Sequence, residues 1–590
     1  MAMADARPKS NIGINKMVVA TPGLSLSPEA LADVIGRDQH MTRGKDYQKM
    51  REKLRGDILK EHPMIFEWEI DERVNPAIEP ALIADNVGKI RSGLGVDMIR
   101  MPGYSESNVT FVANMLYDFV KRLGSDRESL HRLEETPVKT IYYATESNPD
   151  RSRPELEPAL LLAGSKLFAE DETKYRPIIE MLREASVVPI TFACVGGVVA
   201  INEAISRVRF SAENGHKESA VVITADTACY DSKKAPGAEA TQGAAGTLMW
   251  ITKDPNFIEI FDRSGRYHMP LSDFTKFMDE TPVVHGRFSE IVYVYTVGKA
   301  LQILEREYMS LDASNERARS AIMDEIGFFV CHVPFPKQAI YLTSFLFAHE
   351  MKRKNPELFA AMQMRKGVGR EPLPENMRLT DLIEAKFRMF NTNGHGKQHE
   401  SAVIDYIETD PEIRAYWDWL KKFRETPEFE AFLKKLHIKE ALKLPSIVGN
   451  SYTGSSLISM VSLALHSVDL DALLSFIGLL AGYGSGAQSI VIPIKLLARR
   501  ENIFDHLTLD IDMDNRYPVT PEAYRELHPI HLQGDSARLT SGENLVEKDL
   551  KLLRSQTLPK GFHIIRRNVD GTGEYAYSDG KTIEPVTIRF

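Results

Sequence analysis

The sequence predicts an α/β protein with a largely buried sheet. Short apolar runs alternate with segments whose apolar residues recur at helical spacing. Several of those runs lead directly into a polar or glycine-rich turn and then an amphipathic helix, so the turns fall at the carboxyl ends of strands, where open α/β sheets hold ligands. With 590 residues, against about 150 per domain, there is room for three or four domains or one large enzyme fold.

The clearest strands are expected at 138–144, 187–193, 220–225, 247–252, 326–331 and 489–497, each a short apolar run bounded by turn residues. After Cys194, residues Val198, Val199, Ile201, Ala204, Ile205 and Val208 fall at helical spacing. The stretch 472–481 (ALLSFIGLLA) is about half of the ~20 residues a bilayer crossing needs, and is expected to be a buried strand or helix. Residues 39–85 and 350–445 are charge-dense, helical in pattern and joined by proline-punctuated turns, as helical insertions on the outside of a core would be.

Composition narrows the function. Hydrophobic residues make up 43% and charged residues 26%, the profile of a soluble globular chain, and the net charge of −9 offers no basic field for nucleic acid or an anionic membrane. Three cysteines are too few for a secreted disulfide framework, and the N-terminal MAMADARPKS lacks the apolar core of a signal peptide. A cytoplasmic protein is expected.

Cys194 stands in FACVGGV at a strand-to-helix junction. There the helix dipole and the amides of Gly196 and Gly197 would favour a thiolate and could hold an oxyanion; the alternative is a small buried hydrophobe. His332, at the end of IGFFVC, could act as general acid or base or serve the packing. Glu146, in YYATESNPDRS, ends another strand on the same sheet edge, and is either a base of raised basicity or an acid at a helix N-terminus. Asn450, in VGNSYTGSS, could donate to a substrate carbonyl, and GYGSG at 482–486 would let backbone approach a ligand. His395 and His399 with Glu400 have zinc-like spacing but lack the HExxH order, and their flanking glycines indicate a loop, so no metal site is expected.

These segments run collinearly from NIGINKMVVATPG through VGKIRSGLG, ATESNPDRS, FACVGGV, ADTACYDS, ATQGAAG, HVPFPK and VGNSYTGSS to GYGSG. In that order they resemble the 3-hydroxy-3-methylglutaryl-CoA synthase family of the thiolase superfamily. The family's Asp-Phe-x-Lys is kept at Asp273–Lys276, and the proline that follows it is Phe277.

The resemblance implies a thiolase-like fold of two similar βαβ halves in αβαβα layers. It places Glu146 and Cys194 in a half spanning 11–270, His332 and Asn450 in a half spanning 271–540, and a packed extension at 541–590. It further implies that Cys194 is acylated by acetyl-CoA, that Glu146 is the general acid/base, and that His332 and Asn450 orient acetoacetyl-CoA. Asp226, Tyr230, Ser485 and Gly197 would line or support the pocket, and Lys337 would lie near the coenzyme A phosphates. Thioester chemistry of this kind calls for no metal or redox cofactor. A homodimer is implied, with an acyl carrier protein as the alternative thioester source in a polyketide-type synthase. A ketoacyl synthase or a non-catalytic scaffold subunit are the remaining alternatives.

Overall fold

The computed structural model describes residues 11–148, 150, 152–232, 234–235, 237–276, 281–309, 326–365, 367–374, 377–392, 400–510, 517–532, 543–568 and 572–589. Phe277, His395 and His399 lie outside them.

Eleven strands form one hydrogen-bonded sheet: β1 Ile12–Ala20, β2 Val138–Ala144, β3 Ser186–Ile190, β4 Ser219–Thr227, β5 Ala244–Lys253, β6 Ile258–Ile260, β7 Gly265–His268, β8 Ile326–Cys331, β9 Ile477–Gly484, β10 Gln488–Leu496 and β11 Leu507–Asp510. Their order is β8-β9-β10-β6-β1-β5-β4-β2-β3, with β7 also on β10 and β11 on β1. Each wing is built alike. Two neighbouring strands are parallel (β2 with β4, β8 with β9), and antiparallel partners follow (β5 then β1, β10 then β6). The short strand β6 pairs with both β1 and β10 and so fuses the wings.

The strands are apolar on both faces because both faces are covered. In β4, Val221, Ile223 and Ala225 pack outward against helices α4 Asn108–Ser125 and α5 Leu156–Glu184, while Ala220 and Val222 pack inward. In the other wing, Ile326, Phe329 and Cys331 of β8 face outward toward α7 Gly286–Met309 and α8 Pro336–Lys354, and Phe328 and Val330 face inward. The inner layer between the wings is a helix pair, α6 Gly196–Glu213 and α10 Ser455–His466. The expected spacing holds in α6, where Val198, Ile201, Ala204, Ile205 and Val208 are all buried. The layers are therefore helix, sheet, helix, sheet, helix, the arrangement of the thiolase-like fold.

Two of the expected strands, 138–144 and 326–331, match their observed bounds, and the others shift by a few residues at their ends. The apolar stretch 472–481 divides: a short helix ends at Leu473 and strand β9 starts at Ile477.

The two charge-dense segments are helical but differ in their packing. Residues 39–85 lie in α1 Pro28–Thr42, α2 Lys45–Glu61 and α3 Glu67–Gly88, where Tyr47, Met50, Ile70, Val74, Ile78 and Leu82 close a small separate core. Residues 350–445 are not an outer decoration. In α9 Pro411–Phe423, Ile413, Tyr416, Trp419, Leu420 and Phe423 join the same core as β8 and α7. Beyond 541, Phe562, Ile564, Tyr575 and Tyr577 pack into the outer core of the first wing.

Candidate active site

The internal likeness of the wings brings four residues to one place. Glu146 follows β2 and His332 follows the matching strand β8; Cys194 precedes the inner helix α6 and Asn450 precedes the matching helix α10. All four therefore meet at the carboxyl ends of the strands.

Cys194 sits on a strained turn. The preceding residue, Ala193, has φ of +40°, a left-handed conformation that costs a non-glycine residue about 1–3 kcal/mol. The Gly196 N–H donates to the Ala193 carbonyl at 3.1 Å, so this amide closes the turn and is not the oxyanion donor expected of it. Gly197 serves close packing: a Cβ there would lie 2.2 Å from the Thr453 carbonyl oxygen. Gly197→Ala should consequently push the Thr453 turn away and destabilise the protein by about 1–3 kcal/mol. A lower melting temperature together with lost cysteine acylation is the expected result.

The Cys194 thiol donates to Glu146 Oε1 at 3.0 Å. Burial pushes the Glu146 carboxyl up to about 7, and Lys276 pulls it partly back. Burial, and then the Glu146 carboxylate, push the Cys194 thiol well above its ordinary range. The resting nucleophile is thus a thiol with a proton acceptor in contact, and not the dipole-stabilised thiolate expected from the helix N-terminus.

Asp226, at the end of β4, holds this loop in place. It accepts from the Glu146 and Ser147 amides at 2.9 and 3.1 Å and from the Thr145 and Ser147 hydroxyls, both at 2.8 Å. Its second oxygen accepts from the Thr453 amide at 3.1 Å and from the Thr453 hydroxyl. One fully buried carboxylate thereby ties the Glu146 loop to the turn that leads into α10.

Opposite stand His332 and Asn450. The His332 main chain is fixed on both sides, its N–H donating to Ala481 at 2.8 Å and its carbonyl accepting from the Tyr293 hydroxyl at 2.7 Å. Its ring is 1% exposed, and Nδ1 has no partner among the described residues. Burial pushes the imidazole down to about 3, so at neutral pH it offers a hydrogen bond and not the proton of an imidazolium. Asn450 Oδ1 accepts the Tyr452 amide at 3.0 Å, which turns Nδ2 toward the Tyr230 hydroxyl at 3.3 Å.

Cys194, Tyr230, His332, Asn450 and Ser485 line one cavity of about 590 Å³. Asp226 and Gly197 support it from behind. Lys337 does not line it; it is half-buried in the first turn of α8, beside Gly95. The cations that do line it are Arg287, Lys421 and Arg424, of which the last two belong to the 350–445 segment. Arg424 lies over the Tyr341 ring at 4.3 Å, and none of the three forms an ion pair among the described residues. The placement of Lys421 and Arg424 had one sequence signal, the buried stripe 413, 416, 420, 423, which leaves the other side of α9 free to face the cavity. Lys276, the lysine of the Asp-Phe-x-Lys motif, was given no role by the sequence: its ammonium donates to the Glu146 carbonyl at 2.9 Å and lies 4.7 Å from the centre of the Tyr452 ring. No group of His, Cys, Asp and Glu among the described residues could hold a metal, and none of the described helices is long and apolar enough to cross a membrane.

Comparison with known proteins follows the same outline. No protein-family model matches the chain. A hydroxymethylglutaryl-CoA synthase of Haloferax volcanii is 26% identical over 444 residues, covering 75% of this chain and 85% of the relative. The structure of MvaS in complex with 3-hydroxy-3-methylglutaryl coenzyme A superposes with a TM-score of 0.57 at 15% identity, over 97% of this chain and 100% of that one. The curacin biosynthetic pathway HMG synthase, in complex with an acetyl donor carrier protein, gives 0.54 at 13% identity, over 96% and 99%.

Proposed function

We propose that this chain, which belongs to the hydroxymethylglutaryl-CoA synthase family, condenses acetyl-CoA with acetoacetyl-CoA to 3-hydroxy-3-methylglutaryl-CoA. The 3.0 Å contact between Glu146 and Cys194, whose cavity His332 and Asn450 also line, carries this reading.

In the first step Cys194 attacks the acetyl carbonyl as its proton passes to Glu146; the carbon–sulfur bond to coenzyme A breaks, and the departing thiolate takes that proton. Glu146, again a carboxylate, removes a proton from the methyl group of the acetyl-cysteine. The carbanion forms a carbon–carbon bond to the ketone of acetoacetyl-CoA, which the neutral His332 and the Asn450 amide polarise as hydrogen-bond donors. The alkoxide takes the proton held by Glu146. Water, with Glu146 as base, then cleaves the thioester and returns the thiol. The thioester itself acidifies the adjacent carbon, so the reaction calls for no metal or redox cofactor.

Arg287, Lys421 and Arg424 suit the phosphates of coenzyme A, and they take the place foreseen for Lys337. Charged hydrogen bonds of about 1.5–3 kcal/mol each mean that K421A/R424A, which removes two of them, should raise KM for the CoA thioesters about a hundredfold or more while kcat changes little. Steady-state kinetics checks this. The same phosphate contact could be met by a carrier-bound phosphopantetheine arm, which a direct comparison of CoA-bound and carrier-bound acetyl donors resolves. A cytoplasmic homodimer accompanies this reading, and sedimentation analysis tests the dimer.

The test of the function is consumption of acetoacetyl-CoA that depends on acetyl-CoA, with 3-hydroxy-3-methylglutaryl-CoA identified by mass. Consumption without that product would refute the assignment.

A further inference from the structure

Three cations line the cavity, but a fourth lies at the catalytic pair itself. Lys276 follows a short strand, Phe274–Thr275, whose Phe274 packs edge-on to Tyr452 with ring centres 6.1 Å apart. Its half-buried ammonium donates to the Glu146 carbonyl at 2.9 Å and lies 4.7 Å from the centre of the Tyr452 ring. The Glu146 amide N–H, on the other side of the same residue, is held by Asp226 at 2.9 Å. The residue that must move protons is therefore gripped at its N–H by an anion and at its carbonyl by a cation. Tyr452 itself is strained, with φ of +44°, in the turn that Asp226 also anchors through Thr453.

We infer that Lys276 is a positioning residue for proton transfer: it fixes the backbone of Glu146 and supplies the positive charge against which Cys194 and Glu146 give up their shared proton. The inference rests on Cys194 and Glu146 acting as proposed above, and deepens that reading.

The groups facing the pair leave this task to Lys276. Asp226, from the end of β4, is an anion and raises both members of the pair. Tyr230 and Tyr452, from the segments before Glu239 and after Asn450, are pushed up by burial and stay neutral, and burial likewise keeps His332, on the cavity wall, uncharged at neutral pH. Lys276 alone among these opposes them, lowering Glu146 and Cys194 together. An opposite charge held close to such a group moves it by about 1 unit or more.

The experiment is the pH dependence of Cys194 alkylation by iodoacetamide, followed on the Cys194 peptide by mass spectrometry in the full-length protein. K276M should move the midpoint up by about one pH unit, and K276R should restore it. In turnover, K276M should lower kcat about tenfold near pH 7 with KM nearly unchanged. Should K276M fail to fold, K276Q provides the same comparison. An unmoved midpoint in a folded neutral variant would overturn the inference, as would an equal loss in K276R. Alkylation needs neither acyl substrate, so the midpoint speaks to Lys276 even if acetyl-CoA proves to be the wrong donor.

Discussion

Cys194→Ala should fold normally and retain no acetyl group after exposure to acetyl-CoA, with condensation reduced by at least about 10⁴-fold. The side chain is small and 7% exposed, so losing the sulfur opens little space in the core. No other thiol replaces it, since Cys229 and Cys331 are not among the residues that line the cavity. Cys331 is buried, pushed up to about 12 by burial, and faces the outer core of the second wing. Peptide mapping after incubation with labelled acetyl-CoA checks the result. Label on another cysteine would relocate the nucleophile.

Glu146→Ala should separate the two half-reactions. Removing the carboxylate takes away the acceptor of the thiol proton, but also a charge that holds the thiol neutral, so acetylation persists at a reduced rate. Carbon–carbon bond formation has no such compensation and should fall about 10³-fold. The pH profile supplies the sign. Glu146 acts as a base and its carboxyl is pushed up to about 7, so condensation in the native enzyme rises as pH increases through about 7 and flattens above it. In the variant that rising limb should disappear. Single-turnover measurement of acetylation and of acetoacetyl-CoA loss, each across pH 5–9, separates these outcomes.

What the sequence revealed and concealed follows from the range over which each feature is encoded. The strands 138–144 and 326–331 are local apolar runs ended by turn residues, and their bounds match. Glu146, Cys194, His332 and Asn450 were found because each follows a strand or precedes a helix, and the fold converts that local position into a shared site. The state of Cys194 was not legible: a helix N-terminus is visible in the sequence, while the carboxylate in contact and the burial that keep the thiol protonated arise from the packing of distant segments. Gly197 read as an open amide, but the Thr453 carbonyl that fills its space comes from the other wing. Residues 350–445 looked like an exposed insertion because their charge density outweighed the stripe of Ile413, Tyr416, Leu420 and Phe423 that seats α9 in the core. That same misjudgement hid Lys421 and Arg424. Lys276 is visible in the sequence as the end of the Asp-Phe-x-Lys motif, but its partner is not, because only the three-dimensional return of that loop brings it to Glu146.

The most direct test of the central claim is the intact mass of the protein after acetyl-CoA and again after acetoacetyl-CoA. An adduct of one acetyl group on Cys194, discharged as acetoacetyl-CoA disappears and 3-hydroxy-3-methylglutaryl-CoA forms, is the predicted result. A chain that never gains the acetyl group, or that holds it unchanged when acetoacetyl-CoA is supplied, would contradict the proposed reaction.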